Sequence, residues 1–265
     1  MLISSLQNPA IKNIVKLSKS RERRNQQLFI IEGARELSLA RRAGYQIETV
    51  YYYPELFETS KYPDVLDDLS QQQLIQITQP LFAKIAYREN SDGIVALVRP
   101  RPHTLDDLQL TDNPFVIILE SVEKPGNLGA ILRTADAAAA DAVIVCDPLT
   151  DLYNPNVIRS SVGGIFSVPT AVCTSEEAIA WLRQKGITSY AAELQAAEYY
   201  QHVDFTTPSA IVMGTEADGL TDIWLNQANH RIKIPMLGEI DSLNVSVSTA
   251  VLTFEARRQR LMQGK

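Results

Sequence analysis

The spacing of apolar residues changes repeatedly along the chain, and each change predicts an element. From Asn8 to about Gln26, Ile11, Ile14, Val15 and Leu17 recur at helical spacing among Lys12, Lys16, Lys19, Arg21, Arg23 and Arg24, which predicts an amphipathic helix. Leu28-Phe29-Ile30-Ile31 is a short strand, and Gly33 opens a helix that stops near Gly44. Val50–Tyr53 and Ile94–Val98 are further strands. Pro100, Pro102 and Pro114 then punctuate a polar stretch with little apolar periodicity, which reads as a linker.

The pattern restarts with Phe115–Leu119, a continuous apolar run suited to a strand buried on both faces. An alanine-rich helix over Ala130–Ala140, a strand over Ala142–Val145 and a helix over Glu176–Gln184 follow. Ala210–Met213 and Arg231–Ile234 are strands, and Leu243–Leu261 is a long last helix with Leu243, Val247, Val251 and Phe254 at helical spacing. Alternating strands and helices predict α/β architecture with a mostly parallel sheet. The expected domains are 1–100, a linker at 101–113, and 114–265.

Composition narrows the class. The 265 residues have ordinary apolar and charged fractions, which excludes disordered and fibrous proteins. No apolar run reaches the roughly 20 residues a membrane span needs, and the N-terminus lacks a secretory pattern. Cys146 and Cys173 read as free thiols in a reducing compartment, so the cytoplasm is the expected location. The net charge of −6 disfavours a nucleic-acid partner until its distribution is considered. Residues 1–42 carry nine basic and three acidic side chains, and the rest of the chain is correspondingly acidic. A polyanion would be drawn to the N-terminal segment, with Arg21, Arg23 and Arg24 as candidate RNA contacts. A solvated basic helix explains the same charges equally well.

Three segments put glycines and small polar residues beside strand ends, where open α/β sheets bind ligands. In Glu123-Lys124-Pro125-Gly126-Asn127-Leu128-Gly129, Asn127 is placed as a helix N-cap, and Arg133 follows in the second helical turn. The spacing is not that of a dinucleotide fingerprint, which weakens a nicotinamide oxidoreductase. In Met213-Gly214-Thr215-Glu216-Ala217-Asp218-Gly219, Gly214 would let a ligand approach the strand end closely. In Ile234-Pro235-Met236-Leu237-Gly238-Glu239-Ile240-Asp241-Ser242-Leu243-Asn244, Ser242 reads as a helix N-cap with Asn244 in the first turn.

Together, in this order, the segments closely resemble the three motifs of the SpoU family of RNA ribose 2′-O-methyltransferases, part of the SPOUT superfamily. The likeness covers about residues 115–262. A weaker likeness, through Phe29-Ile30-Ile31-Glu32-Gly33, is to a ribosomal-protein-like RNA-binding domain. The resemblance implies an α/β domain with a deep trefoil knot behind a smaller α/β RNA-binding domain, S-adenosylmethionine as methyl donor, no metal, and a homodimer whose site draws on both chains. By matched position it implies Asn127, Arg133, Glu216, Ser242 and Asn244 as catalytic or RNA-contacting residues. Gly214, Ile234 and Leu243 are implied for the cofactor pocket. Ribosomal RNA is the expected substrate. A tRNA substrate and a non-catalytic RNA-binding protein are the alternatives. Lys124, Gly126, Ala139-Ala140 and Ser248 depart from the family pattern without touching a residue expected to do chemistry.

Overall fold

Strand order shows where a ligand would bind. The computed structural model describes residues 1–58, 61–87 and 91–263, and its contacts divide into two units, Met1–Pro102 with Asp151–Ser167, and His103–Thr150 with Val168–Lys265. The sequence reading has the second domain run unbroken from 114 to 265; instead Asp151–Ser167 packs with the first unit. The last two residues of that expected domain, 264 and 265, lie outside the described residues.

The first unit holds a five-stranded mixed sheet in the order β1-β4-β3-β5-β2, where β1 is Leu2–Ile3, β2 Phe29–Glu32, β3 Ile47–Tyr52, β4 Leu74–Ile77 and β5 Ile94–Val98. Strands β1, β4 and β3 run parallel, while β5 is antiparallel to both β3 and β2. The single helix expected over 8–26 is two helices, α1 (Pro9–Lys16) and α2 (Ser20–Gln26). Asn8 caps α1 by accepting from Ala10 N–H, and Pro9 takes the first helical position, where its missing N–H costs nothing. Ile11, Ile14 and Leu17 are buried against Leu81, Phe82 and Ile85, which lie on α4 (Gln79–Ile85), whereas Val15 stays exposed.

The segment 151–167 forms α6 (Pro155–Ser160) and α7 (Gly164–Ser167). Its aromatic residues explain its membership of the first unit. Tyr153 stacks on Phe29 with centroids 4.1 Å apart, Phe166 lies 5.2 Å edge-on to Tyr45, and the Tyr153 hydroxyl donates to that of Tyr45. Asp151 pairs with Arg23. The helix α3 (Ala34–Arg42) packs on α7.

In the second unit a seven-stranded, wholly parallel sheet has the order β10-β12-β9-β11-β6-β7-β8. Here β6 is Phe115–Glu120, β7 Ala142–Cys146, β8 Thr170–Cys173, β9 Thr188–Ala192, β10 Glu198–Tyr199, β11 Ser209–Met213 and β12 His230–Lys233. Every residue of β6, β7 and β11 is buried, as a sheet covered on both faces requires. The helices are α5 (Pro125–Ala137), α8 (Ser175–Lys185), α9 (Asp222–Gln227) and α10 (Val245–Gln263), and α10 packs on α5 and β11. Of the expected linker, Leu105, Leu108 and Leu110 pack on this unit's core. Both cysteines are free thiols on adjacent strands. No helix among the described residues is long and apolar enough to cross a membrane.

Candidate functional site

From β6 the chain proceeds outward to β7 and β8, whereas from β11 it proceeds the other way, to β12 beyond β9. The carboxyl ends of β6 and β11 therefore form the point where connections diverge, which is where open α/β sheets leave a crevice. The first two motifs emerge from these strand ends, and the third follows β12.

A buried carboxylate fixes the crevice wall. Glu120, the last residue of β6, is 2% exposed and accepts from Thr221 N–H at 2.8 Å, the Thr221 hydroxyl at 2.6 Å and the Ser175 hydroxyl at 3.2 Å. The Trp224 indole N–H donates to the same Ser175 hydroxyl. This network ties the far end of the loop after β11 to the end of β6. Sequence reasoning missed Glu120, although a carboxylate closing an otherwise apolar strand is the available signal.

That loop is tight. Thr215 N–H donates to Gly219 C=O at 2.9 Å, and Gly219 has φ +72°, a left-handed conformation that favours glycine. A β-carbon on Gly214 would overlap the backbone of Gly219 and Leu220. The sequence reading has Gly214 making room for a ligand; the structure shows that its missing side chain also lets its own loop fold back.

Asn127, Glu216 and Asn244, one from each motif, meet at this edge. The Asn127 amide donates to Glu216 Oε1 at 2.5 Å, and the Asn244 amide donates to Asn127 Oδ1 at 3.3 Å. Burial opposes ionisation of Glu216, but the Asn127 amide and the backbone N–H groups of Glu216, Glu123 and Lys124 outweigh it and hold the carboxyl below its ordinary range. Glu216 Oε2 is buried without a hydrogen-bond partner among the described residues, an unmet acceptor.

Two expected caps are reassigned. Asn127 is the third residue of α5, whose N-cap is Lys124, so its side chain is free to reach Glu216 rather than close the helix. The cap of α10 is Asn244, whose Oδ1 accepts from Ser246 N–H at 2.9 Å and the Ser246 hydroxyl at 2.6 Å. Ser242 is exposed, outside the helix, and donates to Asp241 instead.

Arg133 is the ninth residue of α5, in its third turn rather than its second, and exposed. Six residues separate it from Asn127, which on an α-helix is about 9 Å along the axis and about 120° around it. Within one chain, Arg133 and the Asn127–Glu216 pair therefore face different directions. It has no hydrogen-bond or ion-pair partner among the described residues.

Of the residues expected at a cofactor pocket, Gly214 and Ile234 stand just past β11 and β12, and Leu243 is 41% exposed immediately before the α10 cap. Between them Pro235–Leu243 make no backbone hydrogen bond among the described residues, leaving a run of free N–H and C=O groups at the strand ends. With the unmet Glu216 acceptor, these groups fit a cofactor held mainly by main-chain atoms.

The N-terminal arginines divide. Arg21 and Arg24 are exposed. Arg23 is 4% exposed, pairs with Asp151 at 2.6 Å and donates to Leu17 and Ser18 C=O at 2.8 Å. Its whole guanidinium fork is used inside the protein, which removes it from the candidate RNA contacts.

Residues 114–254 match the model of the SpoU rRNA Methylase family, and residues 8–96 match that of the MRM3-like substrate binding domain. The chain is 27% identical over 255 residues to the 23S rRNA (guanosine(2553)-2′-O)-methyltransferase RlmP of Bacillus subtilis, covering 96% of this chain and 98% of that one. A solved RNA 2′-O ribose methyltransferase superimposes with a TM-score of 0.86 at 38% identity, over 98% of this chain and 100% of its own. An AdoMet-bound rRNA methyltransferase from Sinorhizobium meliloti does so with a TM-score of 0.87 at 29% identity, over 97% of each.

Proposed function

The chain belongs to the SpoU rRNA methylase family, and we propose that it transfers a methyl group from S-adenosylmethionine to a ribose 2′-hydroxyl of ribosomal RNA. The observation that carries this reading is the meeting of Asn127, Glu216 and Asn244 at the divergence point of the second sheet. Similarity to rRNA-modifying relatives across both units favours ribosomal RNA over tRNA.

When bound, S-adenosylmethionine supplies a methyl group on a sulfonium, which leaves without help from a metal. Backbone groups of Pro235–Leu243, with Ile234 and Leu243 side chains, would hold it. The remaining difficulty is the ribose hydroxyl, a poor nucleophile near neutral pH, which must be aligned with the methyl group and must release its proton to solvent as the O–C bond forms and the C–S bond breaks. Glu216 holds the Asn127 amide, and Asn127 in turn accepts from Asn244, so the two amides form a fixed polar wall for that hydroxyl. The lowered pKa of Glu216 makes it an orienting anion rather than a proton acceptor. Arg133 serves as a fork on the neighbouring phosphate and a donor to the developing alkoxide. Ser242, exposed beside this wall, contacts RNA.

The direction of Arg133 supports a homodimer in which a second copy supplies it. So do the exposed apolar residues of α10, Val247 at 48% and Phe254 at 49%, with Leu243, 41% exposed, just before its cap. The reading includes a knotted backbone, in keeping with β12 returning beside β9 before α10 crosses to α5 and β11. Free thiols fit a cytoplasmic enzyme.

The test is twofold. Calorimetry should detect S-adenosylmethionine binding, and mass-spectrometric mapping should find one ribose methylation missing from the ribosomal RNA of a deletion strain. An unchanged methylation map in both ribosomal RNA and tRNA would overturn the reading.

A further inference from the structure

With Arg23 withdrawn into the protein, Arg21 and Arg24 remain exposed, and further cations of the first unit line a cleft. It lies between α1, α4 and α6, floored by Ile14, Ile85 and Ile158. At one end the exposed ring of Tyr87 carries the Arg159 guanidinium over its face, 5.8 Å from the centroid. Tyr87 is held in place through its backbone, whose N–H donates to Glu32 at 2.6 Å. Glu32 is the one carboxylate among the described lining residues.

At the other end the cleft continues over Val15 and past Lys84 into a shallower groove lined by Lys12 and Lys16. Lys12, Val15 and Lys16 are exposed at helical spacing on one face of α1. None of Lys12, Lys16, Lys84 and Arg159 has an acidic partner among the described residues.

We propose that this groove binds single-stranded RNA, with an unstacked base beside Tyr87 and Arg159 and the following phosphates along Lys84, Lys16 and Lys12. This deepens the reading of the protein as an RNA methyltransferase and rests on it. The chemistry selects the ligand. Apolar floor plus aromatic ring suits a base removed from its helix, whereas a duplex would bury its bases and present only phosphate. Four cations without carboxylate partners complement a polyanion and would repel one another without it. The α6 wall comes from Asp151–Ser167, so a segment from between the second unit's strands completes the groove.

Fluorescence anisotropy of the full chain with a labelled 12-nucleotide RNA single strand, and with a blunt RNA duplex of the same composition, tests this. Tyr87→Ala and Arg159→Ala should each weaken single-strand binding about 10-fold, and Tyr87→Phe should restore it. Replacing Lys12, Lys16 and Lys84 together by alanine should flatten the log–log salt dependence by about two units. S-adenosylmethionine affinity should be unchanged in all of them. Wild-type protein that binds neither probe, unaltered RNA binding in the variants, or equal loss for duplex and single strand on Tyr87→Ala would overturn the groove assignment. A shift in oligomeric state on Tyr87→Ala, seen by sedimentation, would make the groove a contact between copies of this chain and overturn it too. Failure to bind S-adenosylmethionine would instead overturn the methyl-transfer reading.

Discussion

Asn127 donates to Glu216 across 89 residues of sequence, joining the first turn of α5 to the loop after β11. A hydrogen bond to a charged group contributes about 1.5–3 kcal/mol, and its loss leaves the partner unsatisfied. Asn127→Ala and Glu216→Ala should each slow single-turnover methylation by about 10- to 100-fold. A double-mutant cycle should show coupling of at least about 1 kcal/mol. Additive effects would mean the pair does not act as a unit.

The lowered pKa of Glu216 has a thermodynamic counterpart with a definite sign. The folded state holds the ionised form better than the unfolded state does, so it contributes stability above the ordinary carboxylate pKa. That contribution fades as pH falls through the lower folded value. Wild-type protein should therefore lose its melting-temperature advantage over Glu216→Gln on acidification from pH 7 to pH 3. An advantage that grows at low pH would contradict the assignment.

Arg23 should behave as a structural residue. Arg23→Ala leaves the partly exposed Asp151 and two carbonyls without their donor, which costs about 1–3 kcal/mol. Arg23→Lys should recover little, since one ammonium cannot reproduce the fork. Urea denaturation measures both. A change below about 1 kcal/mol would mean the pair is not structural.

Gly214→Ala should destabilise the fold rather than remove cofactor binding selectively, because the added methyl meets the backbone of Gly219 and Leu220. Overpacking of this kind costs about 1–3 kcal/mol. A thermal melt equal to wild type, with S-adenosylmethionine binding abolished, would restore the view that this glycine makes room for a ligand.

Arg133 tests whether sites are shared. Arg133→Ala and Asn127→Ala proteins should each be strongly impaired alone, with a loss of about 100-fold for Arg133→Ala. Co-refolded together, they should regain activity, because a mixed dimer would assemble one site from an intact Asn127 and an intact Arg133. If the mixture stays impaired, Arg133 serves the site of its own chain.

The strands of the second sheet were legible because burial on both faces makes them continuous apolar runs, as in Phe115–Glu120 and Ala142–Cys146. The order of motifs identified Asn127, Arg133, Glu216, Ser242 and Asn244 as a group, of which Asn127, Glu216 and Asn244 meet in the structure. The pairing within that group was hidden, since nothing local says that Glu216 holds Asn127 rather than Arg133. Caps were misplaced for a related reason. Ser242 and Asn244 are both good capping residues, and which one closes α10 depends on where Asn127 lies. The fate of Arg23 was invisible because its partner Asp151 is 128 residues away.

The membership of Asp151–Ser167 in the first unit also bears on how the protein is made. Phe29 and Tyr45 emerge from the ribosome long before Tyr153 and Phe166, the rings that cover them. The N-terminal unit therefore cannot finish its core by itself during synthesis, and its apolar face must wait, or be shielded, until well over half the chain exists. Nor can it be detached as a cassette at residue 100. A nascent chain therefore cannot complete the groove until Asp151–Ser167 has followed residues 103–150, the first third of its second unit.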